Sequence, residues 1–312
     1  GGQATGSNPD DSGGGMYLRA SGTFVVDGCS VVSNRAVAFG GGISTGTNAT
    51  DAEIRIRSSF ISHNRSDERG GVIGNCVMRS NRADIEGGGI YIGQQGGLVC
   101  NNTLLDNNFA IQRGGASQWT PVRANNPNGD RTVRMTHCTL TANSLLALMD
   151  VNGNILPNPN RGAGIHVNPG GQALSSKLLF LDNSISYDNS FGSDLVVEGD
   201  APRGISGATA VVRFSNLGTS TSPGTSAPGG VALGAGVISA PPFFVDAANF
   251  DFRLDATPPT PSPCIDAGDN VIVGPDLVDI DDDDVFAEPL PLSLGRNARI
   301  VNGTADMGRY EQ

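Results

Sequence analysis

The chain is short of the residues from which a compact globular core is usually built. Aromatics make up 5% of its 312 residues, there is one Trp, and there is one Lys, Lys177. No apolar stretch approaches the roughly 20 residues that a membrane span needs, so membrane insertion is not expected. Nothing near Gly1 is laid out like a signal peptide, and the chain reads as mature or truncated. Positive charge is also scarce, with 20 Lys+Arg against 31 Asp+Glu and a formal net charge of −11. That balance supplies no basic stripe to displace counterions from phosphates, which argues against nucleic acid as a partner. It argues equally against adhesion to an anionic membrane surface. The five Cys are an odd number for a disulfide framework.

Against these shortages stand 44 Gly and a recurring Asn. The runs are Cys29-Ser30-Val31-Val32-Ser33-Asn34, Ser59-Phe60-Ile61-Ser62-His63-Asn64 and Cys76-Val77-Met78-Arg79-Ser80-Asn81. They continue as Thr103-Leu104-Leu105-Asp106-Asn107-Asn108, Cys138-Thr139-Leu140-Thr141-Ala142-Asn143 and Ser184-Ile185-Ser186-Tyr187-Asp188-Asn189. A fixed register of small residue, apolar residue and Asn marks a solenoid. Asn at one recurrent turn can stack as an amide ladder that satisfies its neighbours along the axis. Cys29, Cys76 and Cys138 share that register with Ser59 and Thr103 between them. At about 4.8 Å per repeat they stand roughly 9–10 Å apart, beyond the reach of a disulfide. Buried thiols acting as small hydrophobes are expected.

Gly clusters keep time with the Asn, as at Gly13-Gly14-Gly15, Gly40-Gly41-Gly42, Gly87-Gly88-Gly89, Gly114-Gly115 and Gly162-Ala163-Gly164. Short strand-like pieces flank both signals, about three per repeat, with almost no helical periodicity. The expected fold is all-β, a right-handed parallel β-helix (solenoid) over residues 1–236, followed by a C-terminal extension, 237–312, that completes or covers the stack. Insertions near 119–131 and 149–161 should project as loops. Trp119 could stack on a sugar ring or cover a loop or coil end. Residues 218–236 read as loop or linker.

The Gly-Gly-Gly-Ile-Tyr style of repeat resembles the parallel β-helices of polymorphic outer-membrane proteins. The C-terminal segment is more specific. Pro242-Phe243-Phe244-Val245-Asp246, Ser262-Pro263-Cys264-Ile265-Asp266-Ala267-Gly268-Asp269 and the closing Ala305-Asp306-Met307-Gly308-Arg309-Tyr310-Glu311 resemble the end of choice-of-anchor Q proteins. The resemblance implies an exported bacterial protein, extracellular or at the cell surface, of a kind normally followed by one of several cell-wall or membrane anchors. It carries no catalytic residues.

The sharpest chemical candidate is Asp276-Leu277-Val278-Asp279-Ile280-Asp281-Asp282-Asp283-Asp284, followed by Glu288. Alternate carboxylates at Asp279, Asp281 and Asp283, with Glu288, could converge on one hard cation such as Ca2+. The pattern departs from a standard EF-hand at Asp284 and Leu290, and the alternative is a solvated acidic loop. No organic cofactor is indicated. His63, His137 and His166 share no metal-like spacing and read as strand or turn residues. The functional reading is a structural or adhesive rod, a rigid scaffold in an assembly or in glycan contact, and the reading leans away from an enzyme. The first 12 residues hold no amphipathic helix to serve as a cap, so the N-terminal end is expected to meet another copy, another surface protein or a segment upstream of Gly1. The alternative is a polysaccharide lyase or glycoside hydrolase acting on an acidic glycan, with Arg55, Arg57, Arg79 and Arg134 among the available cations. Carboxylates and Arg clustered in one groove would favour the enzyme, and a smooth flank the scaffold.

Overall fold

The computed structural model describes residues 3–4, 15–18, 22–36, 43–45, 52–57, 59–62, 65–66, 76–92, 98–119, 132–156, 160–168, 178–198, 209–222, 230–257, 259–274, 281, 283 and 288–312. Within them the protein is all-β, with parallel sheets that run from repeat to repeat. Each repeat supplies up to four short strands, one more than the sequence suggests. The first row includes Leu98–Asn101, Thr132–Thr136, Leu178–Asp182 and Thr209–Arg213. The second is the seven-stranded sheet formed by the Asn runs, from Ser30–Val32 to Asn216–Leu217. The third consists of two-residue strands directly after the recurrent Asn, such as Arg82–Ala83 and Phe109–Ala110. The fourth follows the Gly clusters and includes Ile90–Ile92, Ser117–Trp119, Gly162–Val167 and Ser193–Val197.

Strands this short find no partner inside their own repeat. Each pairs in parallel with its counterparts one repeat away, so Val77 lies between Phe60 and Leu104. Alternate side chains then stack inward as one core, with Met78, Leu105 and Leu140 from the second row and Cys100, Met135 and Leu181 from the first. Trp119 belongs to this core. It sits in a strand between Ile92 and Val167 and is 1% exposed, which removes it from the sugar-stacking and loop-covering roles. The segment read as a linker also joins the stack, since Gly230–Leu233 pairs with the strand Thr209–Arg213.

The recurrent Asn form the expected ladder. Asn81, Asn108 and Asn143 each donate a side-chain amide N–H to the Oδ1 of the next Asn, at 3.0, 2.9 and 2.8 Å. The same Oδ1 atoms accept the backbone N–H of the previous ladder residue at 3.0–3.1 Å. The second amide hydrogen goes to a carbonyl, as from Asn108 to Met78 and from Asn143 to Leu105. The preceding residues Ser80, Asn107, Ala142 and Asp188 adopt positive φ of 54–61° and turn the chain into the ladder. Asn189 ends the series by donating to Asp194 Oδ1 at 2.7 Å. Asn34 is buried, and Asn64 lies outside the described residues.

At the opposite corner of the second row, hydroxyls match the thiols. Backbone N–H groups of Cys76, Cys138 and Ser184 donate to Thr103, Ser184 and Ser215 at 3.3, 3.0 and 3.0 Å. No disulfide links the five Cys, and all but the half-buried Cys29 are buried. Cys138 has a near neighbour that the spacing of the runs does not reveal: Cys100, from the first row, with its sulfur 3.6 Å away.

The C-terminal segment lies along the outer side of the second row. Leu254, Cys264 and Met307 pack on Ile185 as a second core. Asn183 exchanges two hydrogen bonds with the Asp269 backbone, at 2.8 and 2.9 Å. Arg309 N donates to Thr139 Oγ1 at 3.2 Å. Arg299, 1% exposed, donates to Asn102 Oδ1 at 2.5 Å and to the carbonyls of Gly308 and Arg309. Burial lowers its pKa to about 10. Its nearest carboxylate is Glu311, at 3.7 Å, and burial pushes Glu311 up to about 7 and neighbouring Asp306 up to about 6.

Asn143→Ala removes the acceptor of two buried donors on Asn108 and should cost about 3 kcal/mol in urea unfolding, at roughly 1–3 kcal/mol per orphaned group. Asn154→Ala, on an exposed turn, should change stability by less than about 0.5 kcal/mol. Because Glu311 binds its proton more tightly folded than unfolded, its contribution is fully present below its ordinary pKa of 4.5 and is lost as pH rises through about 7. Glu311→Gln should therefore gain melting temperature relative to the parent between about pH 5 and about pH 8; a constant offset would show that Glu311 does not titrate there.

Candidate functional site

In three successive repeats the residue immediately before the Gly cluster is charged and partly exposed: Glu86, Arg113 and Arg161. Their stacking follows from the backbone. Glu86 and Arg113 form a parallel bridge, and Gly114 N donates to Gly162 O at 2.7 Å. Added Cβ atoms at Gly88 and Gly115 would come within 2.4–2.5 Å of carbonyl oxygens, so these positions admit only Gly without displacement.

This charged row opens on a cleft of about 460 Å³. Arg113, Arg161, Glu198, Gln112 and Asn160 supply its polar lining, with Ile111, Leu146 and Leu148 on the apolar side. Arg113 contacts Glu86 Oε1 at 3.2 Å and Glu198 Oε1 at 3.8 Å. Arg161 donates to the carbonyls of Ile111 and Gln112, and no carboxylate among the described residues pairs with it. Burial, and then the neighbouring Arg113, lower its pKa. Of the two described cations in the cleft, it is the one whose partners are carbonyls rather than carboxylates.

His166 closes the floor beneath Glu198. Its Nδ1 accepts the Gly162 N–H at 3.0 Å, so the proton of the neutral ring is on Nε2. That atom faces Glu198 Oε1 at 3.2 Å in poor hydrogen-bond alignment. Burial holds the His166 pKa below its ordinary value against the pull of Glu198. Burial alone would raise Glu198, but His166 and Arg113 outweigh it and hold the carboxyl below the usual glutamate range. The cleft therefore presents an ionised carboxylate and two guanidinium groups, with a neutral imidazole buried behind the carboxylate. It can receive an anion at Arg161. Its described carboxyl, Glu198, has a lowered pKa where a general acid needs a raised one.

Reading the sequence did not single out Arg113, Arg161 or Glu198, and placed His166 merely in a strand. The signal available was the position before each Gly cluster, where charge appears in three consecutive repeats. The Arg residues considered earlier lie elsewhere. Arg79 pairs with Asp106 at 2.7 Å and stacks over Phe250, Arg134 stacks over Phe180, and Arg55 and Arg57 belong to the strand Ala52–Arg57. His137 is buried against Asn183 and Arg299, each at 3.2 Å. His63 and Lys177 are outside the described residues.

The acidic candidate is partly assembled. Asp281, Asp283 and Glu288 each bring a carboxylate oxygen within 4.8 Å of the others, while Asp279 lies outside the described residues. Three such oxygens suit part of a Ca2+ shell of six to eight, the remainder falling to carbonyls or water.

No family model, curated protein or solved structure matches the chain.

If the three carboxylates hold Ca2+, calcium should raise the melting temperature, and Asp281→Asn combined with Asp283→Asn should abolish the rise. An identical response in parent and variant would assign any calcium effect to other groups.

Proposed function

We propose that the chain is a right-handed parallel β-helix, an extracellular or cell-surface rod that holds an acidic polysaccharide at the Arg113/Arg161 cleft. The observation that carries this reading is the Arg161 guanidinium, bonded to carbonyls rather than carboxylates, beside Arg113 in a cleft on a protein of net charge −11. Acidic surroundings repel anions in general, and within them Arg161 is the described cation of the cleft that is not already paired with a carboxylate, Arg113 being held by Glu86 and Glu198. Parallel repeats present such a cleft on a stiff support, which suits a scaffold in glycan contact. The likeness of residues 237–312 to choice-of-anchor Q proteins supports the surface location. Ca2+ at Asp281, Asp283 and Glu288, and self-association through the N-terminal end, are further parts of this reading.

Cleavage of the glycan is the second reading, and the grouping of carboxylates and Arg in one groove favours it. Against it, Glu198 is held ionised by two partners and His166 is sealed under it. Binding is therefore the activity we assign.

Uronate-containing polysaccharide should bind the parent protein and weaken as salt rises. Arg161→Gln should lower the affinity at least about tenfold, in line with the loss of a charge-assisted pair, with the β circular-dichroism spectrum of the parent retained. Unsaturated or reducing ends accumulating on incubation, and lost in Glu198→Gln, would replace binding with catalysis. No binding to any acidic glycan would overturn the assignment.

A further inference from the structure

The same cleft has an apolar arm. Directly after the strand Ser144–Leu145, the chain forms an antiparallel hairpin, Leu148–Met149 against Ile155–Leu156. Six of the 14 exposed large apolar side chains among the described residues lie between 146 and 156, which makes them a patch rather than scatter. Met149 is 62% exposed, Ile155 54% and Val151 fully exposed. Leu146 and Leu148 belong both to this patch and to the lining of the cleft. The hairpin tip is ordered by its own bonds. Asp150 accepts from the backbone N–H of Asn152 and Asn154 at 2.8 and 2.9 Å and from the Asn154 side chain at 2.9 Å. Its apolar side chains are thus held out in water by a built turn.

A plain acidic polysaccharide has no use for such a surface, and solvent-exposed apolar area next to two guanidinium groups calls for a ligand with both characters. We infer that the cleft and hairpin together bind an acidic saccharide that carries an alkyl or acyl chain, its anionic group at Arg161 and Arg113 and its chain along Leu146, Leu148 and Ile155. This rests on the acidic-glycan reading of the cleft and narrows it to an amphiphile. Charge complementarity fixes the polar end. The net charge of −11 disfavours an extended anionic bilayer as the occupant, and a single amphiphilic molecule matches both surfaces.

The test uses three soluble probes below their micelle concentrations: glucuronate, octyl glucuronide and octyl glucoside. Titration calorimetry on the full chain should show octyl glucuronide binding at least about tenfold more tightly than either of the others, as expected when apolar burial adds to a charged contact. Arg161→Gln should bring octyl glucuronide down to the level of octyl glucoside. Leu148→Ser combined with Ile155→Ser should bring it down to the level of glucuronate, with the melting temperature of each variant confirming its fold. Equal affinity for glucuronate and octyl glucuronide would overturn the inference while leaving acidic-glycan binding in place. Failure of all three probes and of uronate polysaccharide would overturn both. Concentration-dependent dimerisation in light scattering, lost in the Leu148 and Ile155 double variant, would assign the patch to a second copy and also overturn the inference.

Discussion

Everything in this protein depends on hydrogen bonds that leave one repeat and end on the next. Strands of two to six residues cannot satisfy their own backbone, and buried N–H and C=O groups must be paired somewhere. The parallel rows do this along the straight pieces. At the corner after the second row, where the backbone turns and the rows break, the side-chain amide of Asn takes over. Asn108, Asn143 and Asn189 each accept two hydrogen bonds on the side-chain oxygen and donate two from the amide nitrogen, which uses nearly the full capacity of the group. Few side chains could replace it, because a hydroxyl is too short and a carboxylate has nothing to donate.

A consequence of that stacking is that one chain position becomes a line of side chains on the surface. The position before the Gly clusters yields Glu86, Arg113 and Arg161. The corner before the second row yields Asn102, His137 and Asn183, all at positive φ and all in contact with the C-terminal segment or with residues it brings. The first line is open to solvent and carries charge, while the second is covered and carries neutral or amide groups. The two flanks thus have different tasks: one binds the protein's own tail, and the other presents a cleft with an insertion beside it.

Which parts of this were legible in the sequence follows from the range of the interactions. The ladder was visible because its chemistry demands one residue type in one register, five residues after a small one. The acidic group Asp281, Asp283 and Glu288 was visible because it is local. The two-residue strands were not, since two residues show no periodicity. Nor was the contact between Cys100 and Cys138, because it joins different rows, and counting within one row gives only the longer separation. The cleft was hardest. Arg113, Arg161 and Glu198 belong to three repeats of unequal length, and the insertions between them hide the common register. Trp119 misled for a related reason: it closes a strand at the point where an insertion begins.

The end of the ladder has a consequence of its own. All its amides point the same way, so their dipoles add, and the donor end of the series falls on the carboxylate of Asp194. That carboxylate also receives the backbone N–H and hydroxyl of Thr219. A carboxylate accepts and cannot pass a hydrogen bond onward. Asp194 is a full stop in a directional code: the series of amides runs to Asn189 and ends on an acceptor, while the backbone pairing of the rows goes on without it to Asn216–Leu217 and Gly230–Leu233.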